Sequence, residues 1–239
     1  MLVFRLGNLR KEKFECPICH YIGPFEDVNR ITGPRKHAAC PGCGALERHR
    51  HQYLVVRAIL DSLDASQMKM LHFAPEDCLK GYFCQRFGSY ETADLDMNGV
   101  DYHVDLQNLP FPDSTYDLVF ASHVMVCIPE DGKAMREIRR ILKPNGMAIL
   151  PDPVSSEITI EYPEPNPYEG YNVRAPGFDY FDRYKLYFSR VEKYSSRSWP
   201  EKYQLFEYED RRRFPSAECP LRPAMTGERH EDVVPICYA

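Results

Sequence analysis

The chain has 239 residues, of which 44% are hydrophobic and 16 are tyrosine, so it can build a sizeable core and is not a disordered polymer. No apolar run approaches the ~18 residues of a bilayer span, and "MLVFRLGNLRKEKF" has no small-residue cleavage site of the secretory kind, so a cytoplasmic setting away from membranes is expected. The net charge of −5 is uneven: residues 1–57 carry +5 and residues 58–239 carry −10.

Nine cysteines do not suit a fully paired disulfide framework. Four of them form two C-P-x-C pairs, Cys16/Cys19 and Cys40/Cys43, with 20 residues between the pairs. Two such knuckles supply the four soft ligands of a tetrahedral zinc ion with no coordination position left open. The expected role is therefore structural, with the metal stabilising a segment too small to fold alone. Residues 1–45 read as this zinc-ribbon-like module, with an iron centre or a redox pair as alternatives. His20, His37, His49 and His51 lie nearby and read as ordinary surface or interface histidines. The surplus cations read first as an offset to a zinc-tetrathiolate centre, and second as a grip on nucleic acid.

From Ala45 the spacing of Leu46, Tyr53, Val56, Leu60 and Leu63 predicts a helix with one apolar face. Its "ERHRH" start runs against the helix dipole, so its cations are expected to find acidic partners on the next domain. From Lys69 the chain alternates. "MKMLHF", "YETADL", "DYHVDL", "YDLVFAS" and "GMAILP" read as strands. "EDCLKGYFCQRFG" and "PEDGKAMREIRRILKPNG" read as helices, the second with Ala134, Ile138, Ile141 and Leu142 on one face. This predicts an α/β fold with a doubly wound, mostly parallel sheet across residues 46–215, whose ligand lies at the carboxyl ends of the strands. "YKLYFSRVEKYSS" and "YQLFEYE" read as closing antiparallel strands. The Pro/Tyr-rich stretch at 151–180 reads as a lid or substrate loop, and 216–239 reads as a tail without periodicity. Cys127, alone on an apolar stretch, reads as core.

The first strand ends in Ala74-Pro75-Glu76 where a dinucleotide fold has glycines. With no G-x-G-x-x-G, there is no cradle for a pyrophosphate. Asp94 follows about twenty residues on, suited to ribose hydroxyls, and Asp105 and then Ser122-His123 close the third and fourth strands. That order suits an adenosine ligand. Asp96 and Asp101 read as solvated acids.

The "D-x-x-x-LPF-x-D-x-x-Y-D" and "E-I-x-R-x-L-K-P-x-G" runs resemble a class I S-adenosylmethionine-dependent methyltransferase of Rossmann-like fold. Residues 14–190 resemble a bacterial subgroup with a C-P-x-C/C-P-x-C knuckle, an "E-R-H-R" helix and an "L-H-F-A-P-E" first loop. The resemblance implies S-adenosylmethionine as cofactor beside the structural zinc. It implies that Phe73, Ala74, Pro75 and Glu76 line the methionine moiety, Asp94 and Leu95 the ribose and adenine, Asp105 and Leu106 the adenine, and Ser122 and His123 the sulfonium. It offers His123 as a catalytic base titrating near neutrality, and Arg174, Asp179 and Tyr180 as substrate contacts. The subgroup's Glu and His in "H-V-L-E-H-V" are replaced here by Val126 and Cys127. The absence of an Asp/Asn-Pro-Pro-Tyr run disfavours base amino methylation. The expected function is methyl transfer to oxygen or nitrogen of a small-molecule acceptor, a natural product or a sugar. The alternatives are an RNA methyltransferase using the basic module and a non-catalytic binding protein with a degenerate cofactor site.

Overall fold

The structure, a computed structural model, describes residues 11–239, so the first ten residues of the expected N-terminal module lie outside it. Two short antiparallel hairpins open the described chain. The first joins β1 (Phe14–Glu15) to β2 (Ile22–Gly23), and the second joins β3 (Glu26–Arg30) to β4 (Gly33–Ala39). The two knuckles that follow β1 and β4 are built alike. His20 N–H donates to the Cys16 carbonyl (2.9 Å) and Gly44 N–H to the Cys40 carbonyl (2.8 Å), while Cys16 and Cys40 donate to Tyr21 and Ala45. The residue after each second cysteine takes the left-handed backbone that closes such a turn, with φ of 59° at His20 and 74° at Gly44. His20 is thus a turn residue. Phe14, Tyr21, Phe25 and Ala45 pack around the cysteines as a small core.

Helix α1 (Glu47–Leu60) follows directly. It buries Leu54, Val55, Val56 and Leu60, while Leu63 falls beyond its end and is exposed. The expected single stripe is therefore too narrow: the helix lies between the N-terminal hairpins and the main sheet and is covered on several sides.

The main sheet then builds as expected. It comprises β5 (Lys69–Phe73), β6 (Ser89–Asp94), β7 (Tyr102–His103), β8 (Tyr116–Ala121) and β9 (Leu142–Ile149), all parallel, with α2 (Asp77–Arg86) after β5 and α3 (Asp131–Ile141) before β9. Leu142 opens β9 and is not part of α3. The alternation of strand residues feeds two cores. Met70, Leu118, Phe120 and Ile149 face α1 and α2, whereas Leu71, Val119, Ala121 and Ala148 face α3 and the Tyr180–Leu186 turns.

The carboxyl-terminal third departs from the sequence reading. A hairpin of β10 (Ile160–Asn166) and β11 (Asn172–Ala175) stands in the expected lid stretch. The edge strand β12 (Arg190–Ser195) does close the main sheet, but "YQLFEYE" does not. It forms β13 (Glu207–Tyr208), which pairs with β4 and with β14 (Arg229–His230) in a separate four-stranded sheet. The expected tail supplies β15 (Val233–Tyr238), which inserts antiparallel between β9 and β12 to complete the order β12-β15-β9-β8-β5-β6-β7. Its Val-Val-Pro-Ile-Cys run is continuously apolar because both faces are covered, so it shows no alternation to read. Cys219 and Cys237 are buried here, and His230 hydrogen-bonds the Glu209 carbonyl, so these three do not form a second ligand group.

Because β15 sits inside the sheet, truncation before Val233 is expected to leave the protein insoluble. The milder Ile236→Ala should cost about 2–5 kcal/mol in urea unfolding, and truncated protein that stays soluble with a native melt would contradict this placement.

Candidate functional site

The strand order reverses between β5 and β8, and this is where a doubly wound sheet opens a crevice. Both strands end in a residue with left-handed backbone. Ala74 has φ +47° and His123 has φ +56°, a conformation that costs a non-glycine residue about 1–2 kcal/mol. Ala74 is held there by its N–H donating to the Ala93 carbonyl (2.9 Å), and His123 by donation to the Pro151 carbonyl (2.8 Å). Alanine therefore makes the turn that glycine makes elsewhere, and retained strain of this kind marks functional positions.

Between these two turns lies a cleft of ≈ 400 Å³. Phe73, Ala74, Val104, Leu106, Val124 and Ile128 make it largely apolar, with Leu95 standing 62% exposed at its rim. Its polar groups are few. Asp94 turns one carboxylate oxygen to the N–H groups of Asp96 (2.9 Å) and Met97 (2.8 Å), which fixes the side chain and leaves the other oxygen free. Asp105 is held likewise by Gln107 N–H at 2.8 Å. Asp101, in contrast, is tied to Thr92 and does not line the cleft.

A second cavity of ≈ 480 Å³ adjoins the first, with His123 in the wall of both. It lies between β3–β4, the start of α1, the β10–β11 hairpin and the region of β13, and its walls are charged. Glu209 pairs with Arg211 and with Arg222, each at 2.8 Å, Glu207 pairs with Arg35 (2.6 Å) and Arg211, and Glu169 pairs with Arg222. Arg30 and Arg48 also line it. Burial and the nearby Arg48 cation push the His123 imidazole well below its ordinary range, so it is neutral at physiological pH, and its Nε2 has no protein partner. The expectation of a base titrating near neutrality is corrected accordingly.

The polar start of α1 forms the wall behind both cavities. Arg50 is fully buried and donates to the carbonyls of Ala38 (2.9 Å), Ala45 (2.6 Å), Tyr203 (3.0 Å) and Gln204 (2.6 Å). His51 pairs with Asp232 at 2.7 Å, Gln52 donates to Ser122 Oγ at 2.9 Å, and His49 Nε2 faces Glu76 at 3.9 Å. The expected acidic partners thus exist for His51, while Arg50 is satisfied by backbone oxygens instead. Burial, the largest influence, pushes the Glu76 carboxyl up, but the hydrogen bond to His72 (3.2 Å) together with the charges of His72 and His49 and a hydrogen bond from Ser122 makes the net shift downward.

Of the donor residues expected from sequence, the cleft gathers Phe73, Ala74, Asp94, Leu95, Asp105, Leu106 and His123. Pro75 is not in its wall, Glu76 turns toward His72 and His49, and Ser122 is held behind the cleft by Gln52. The expected substrate contacts do not face either cavity. Arg174 donates to the carbonyls of Met125 (2.8 Å), Ile128 (2.9 Å) and Pro129 (3.1 Å), pinning β11 to the loop after β8. Asp179 accepts from Thr159, and Tyr180 is buried with its hydroxyl on Asp131. These three fasten the 151–180 stretch to the loop after β8, to Thr159 and to Asp131 of α3. Cys127 is exposed and lines the cleft, contrary to its reading as core. Sequence reasoning missed Arg48, Gln107, Arg211 and Arg222 as cavity residues. The "ERHR" and "EDRRR" charge runs were the only signal, and such runs are usually solvated.

The four knuckle sulfurs all lie within 4.8 Å of one another, with Cys16–Cys43 at 3.7 Å and Cys19–Cys40 at 3.5 Å. Four thiolates around one ion at about 2.3 Å stand about 3.8 Å apart, so the separations fit a tetrahedral metal and are too long for disulfides.

A family model described as a methyltransferase domain matches residues 85–150, from the end of α2 through β9. Among curated proteins, the chain is similar to a sterol 4-C-methyltransferase of Caenorhabditis elegans (46% identity over 48 residues, 20% of this chain and 14% of that protein). It is also similar to a demethylmenaquinone methyltransferase of Staphylococcus epidermidis (37% over 62 residues, 26% and 25%) and to the 27-O-demethylrifamycin SV methyltransferase of Amycolatopsis mediterranei (33% over 60 residues, 25% and 22%). The matches thus span a quarter or less of these relatives' own length. Among solved structures, it is similar to an S-adenosylmethionine-dependent methyltransferase from Mesorhizobium loti (14% identity, 78% of this chain and 97% of that one, TM-score 0.47). The part of the central sheet from β6 to β9 thus matches a methyltransferase domain model, and the strand order is that of a Rossmann-like fold.

Asp152, just beyond β9, is buried against Val126 N–H (3.2 Å) and the Tyr184 hydroxyl (3.3 Å), and burial raises its carboxyl to about 8. A folded-state value above the unfolded one means that its contribution is complete below pH ~4 and is lost as pH rises towards 8. Asp152→Asn, neutral throughout, is expected to be more stable than the parent at pH 8 and to lose that advantage near pH 4. Parallel stability–pH curves from urea titrations would contradict this.

Proposed function

We propose that the chain transfers a methyl group from S-adenosylmethionine to oxygen or nitrogen of a small-molecule acceptor, with the donor in the apolar cleft and the acceptor in the charged cavity. The observation that carries this reading is His123, the residue that lines both spaces at the end of β8. The cleft has the features the donor needs. Apolar residues flank a flat base, Asp94 keeps an oxygen for ribose hydroxyls, and Asp105 with Gln107 offers polar contact for an adenine edge. Bound there, S-adenosylmethionine supplies an electrophilic methyl group. The chain's part is to hold the acceptor atom in line with it and exclude water. A neutral His123 accepts a hydrogen bond from the acceptor's O–H or N–H and can take its proton.

The cysteine cluster is assigned a structural zinc, consistent with its sulfur separations and its closure to solvent ligands. The RNA reading loses its support because Arg35 and Arg50 of the basic region are engaged inside the protein. The binding-protein reading leaned on the altered first loop and on the missing Glu and His after His123; the first support weakens because Ala74 adopts the left-handed turn without glycine.

Titration calorimetry with S-adenosylmethionine and S-adenosylhomocysteine is expected to give micromolar binding. Asp94→Ala should weaken both by roughly tenfold or more, and equal affinity would remove the ribose assignment. Cys40→Ser should lose the one zinc that metal analysis finds in the parent. Because His123 stays neutral, turnover should show no acid limb near pH 6.5. An inflection there that disappears in His123→Gln would contradict the depressed imidazole.

A further inference from the structure

We infer that the acceptor is a small anionic molecule, bearing a carboxylate or phosphate group that seats on Arg48 in the charged cavity. The inference rests on the methyltransferase reading and deepens it. In the cavity wall, Arg35, Arg211 and Arg222 are each matched to Glu169, Glu207 or Glu209 by ion pairs. These six charges cancel and brace the wall. Arg48 stands apart from them. It is half-buried in the first turn of α1, its Nε is inaccessible to solvent, and no protein acceptor meets it among the described residues. Arg30, exposed at the cavity's edge, also has no ion-pair partner there. Glu47, next along the helix, is fully buried on Arg35 and does not line the space. The cavity thus presents a cation with no counter-charge.

A guanidinium without a protein partner is a fork for two oxygens of one anion, and a buried donor left open calls for an acceptor from outside the chain. The volume of ≈ 480 Å³ is that of a metabolite pocket. Position adds a second argument, because Arg48 and His123 line the same space. An anion on Arg48 places the rest of the acceptor against His123 and the donor cleft.

The test titrates inorganic phosphate and, separately, benzoate into the full-length protein at constant ionic strength. S-adenosylhomocysteine is titrated into the same preparations. At least one of the two anions is expected to bind the parent in the millimolar range, and the stronger of them distinguishes a phosphate from a carboxylate acceptor. Arg48→Gln should weaken that binding tenfold or more, with Arg48→Lys intermediate, while S-adenosylhomocysteine still binds. Failure of both anions to bind the parent, or equal binding by Arg48→Gln, overturns the inference. If Arg48→Gln does not fold, Arg48→Lys decides, and unchanged affinity together with unchanged competition by chloride would sink the guanidinium fork. Arg48-dependent anion binding with no S-adenosylhomocysteine binding would instead leave the anion site standing and remove the methyltransferase reading.

Discussion

The arrangement depends on Arg50. Its guanidinium lies at the start of α1 and donates to four carbonyls, two from the cysteine-bearing hairpins and two from the segment before β13. Such a group is stable in the interior only while its donors are filled, since removing partners from a buried charge costs several kcal/mol. Each of the three pieces therefore needs the other two. The face of Phe25, 4.4 Å from the guanidinium carbon, completes the enclosure. With α1 fixed at this end, His49, Gln52 and Arg48 are aimed at the ends of β5 and β8, and the cysteine knuckles become the fixed point from which the site is built.

This explains why the two cavities differ. The apolar cleft belongs to the parallel sheet, with walls from strand ends and single carboxylates at β6 and after β7. The charged cavity belongs to the additions: β3 and β4, the first turn of α1, the β10–β11 hairpin and the segment around β13. Their contact is His123, whose left-handed backbone turns the chain out of β8 at the point where the two systems meet. In the function proposed above, the sheet holds the donor while the added elements define a separate space for the acceptor.

The central fold was legible because β5, β8 and α3 carry local signals: apolar alternation, helical spacing, and strand ends marked by Asp94, Asp105 and His123. The cysteine spacing was equally plain, since a four-ligand site is written in two short runs. What was not legible was long-range pairing. β15 has no alternation because both its faces are buried, and β13 is two residues long and meets β4 only through Tyr208 opposite Lys36, far earlier in the chain. The Arg174, Asp179 and Tyr180 cluster shows the opposite failure. Polar residues in a loop suggested contact with a substrate, whereas Arg174 answers the backbone carbonyls left open by the turn after β8. The "ERHRH" run was read in part: His51 finds the expected acidic partner in Asp232, whereas Arg50 is buried on backbone carbonyls, which the sequence did not signal.

The most direct test of the two-chamber account is a crystal structure of the protein with S-adenosylhomocysteine bound. The account predicts density in the cleft between Ala74 and His123, with the ribose on Asp94 and the sulfur directed past His123 into the charged cavity. Ligand bound in the charged cavity, or in the cleft with its sulfur facing away from that cavity, would contradict it.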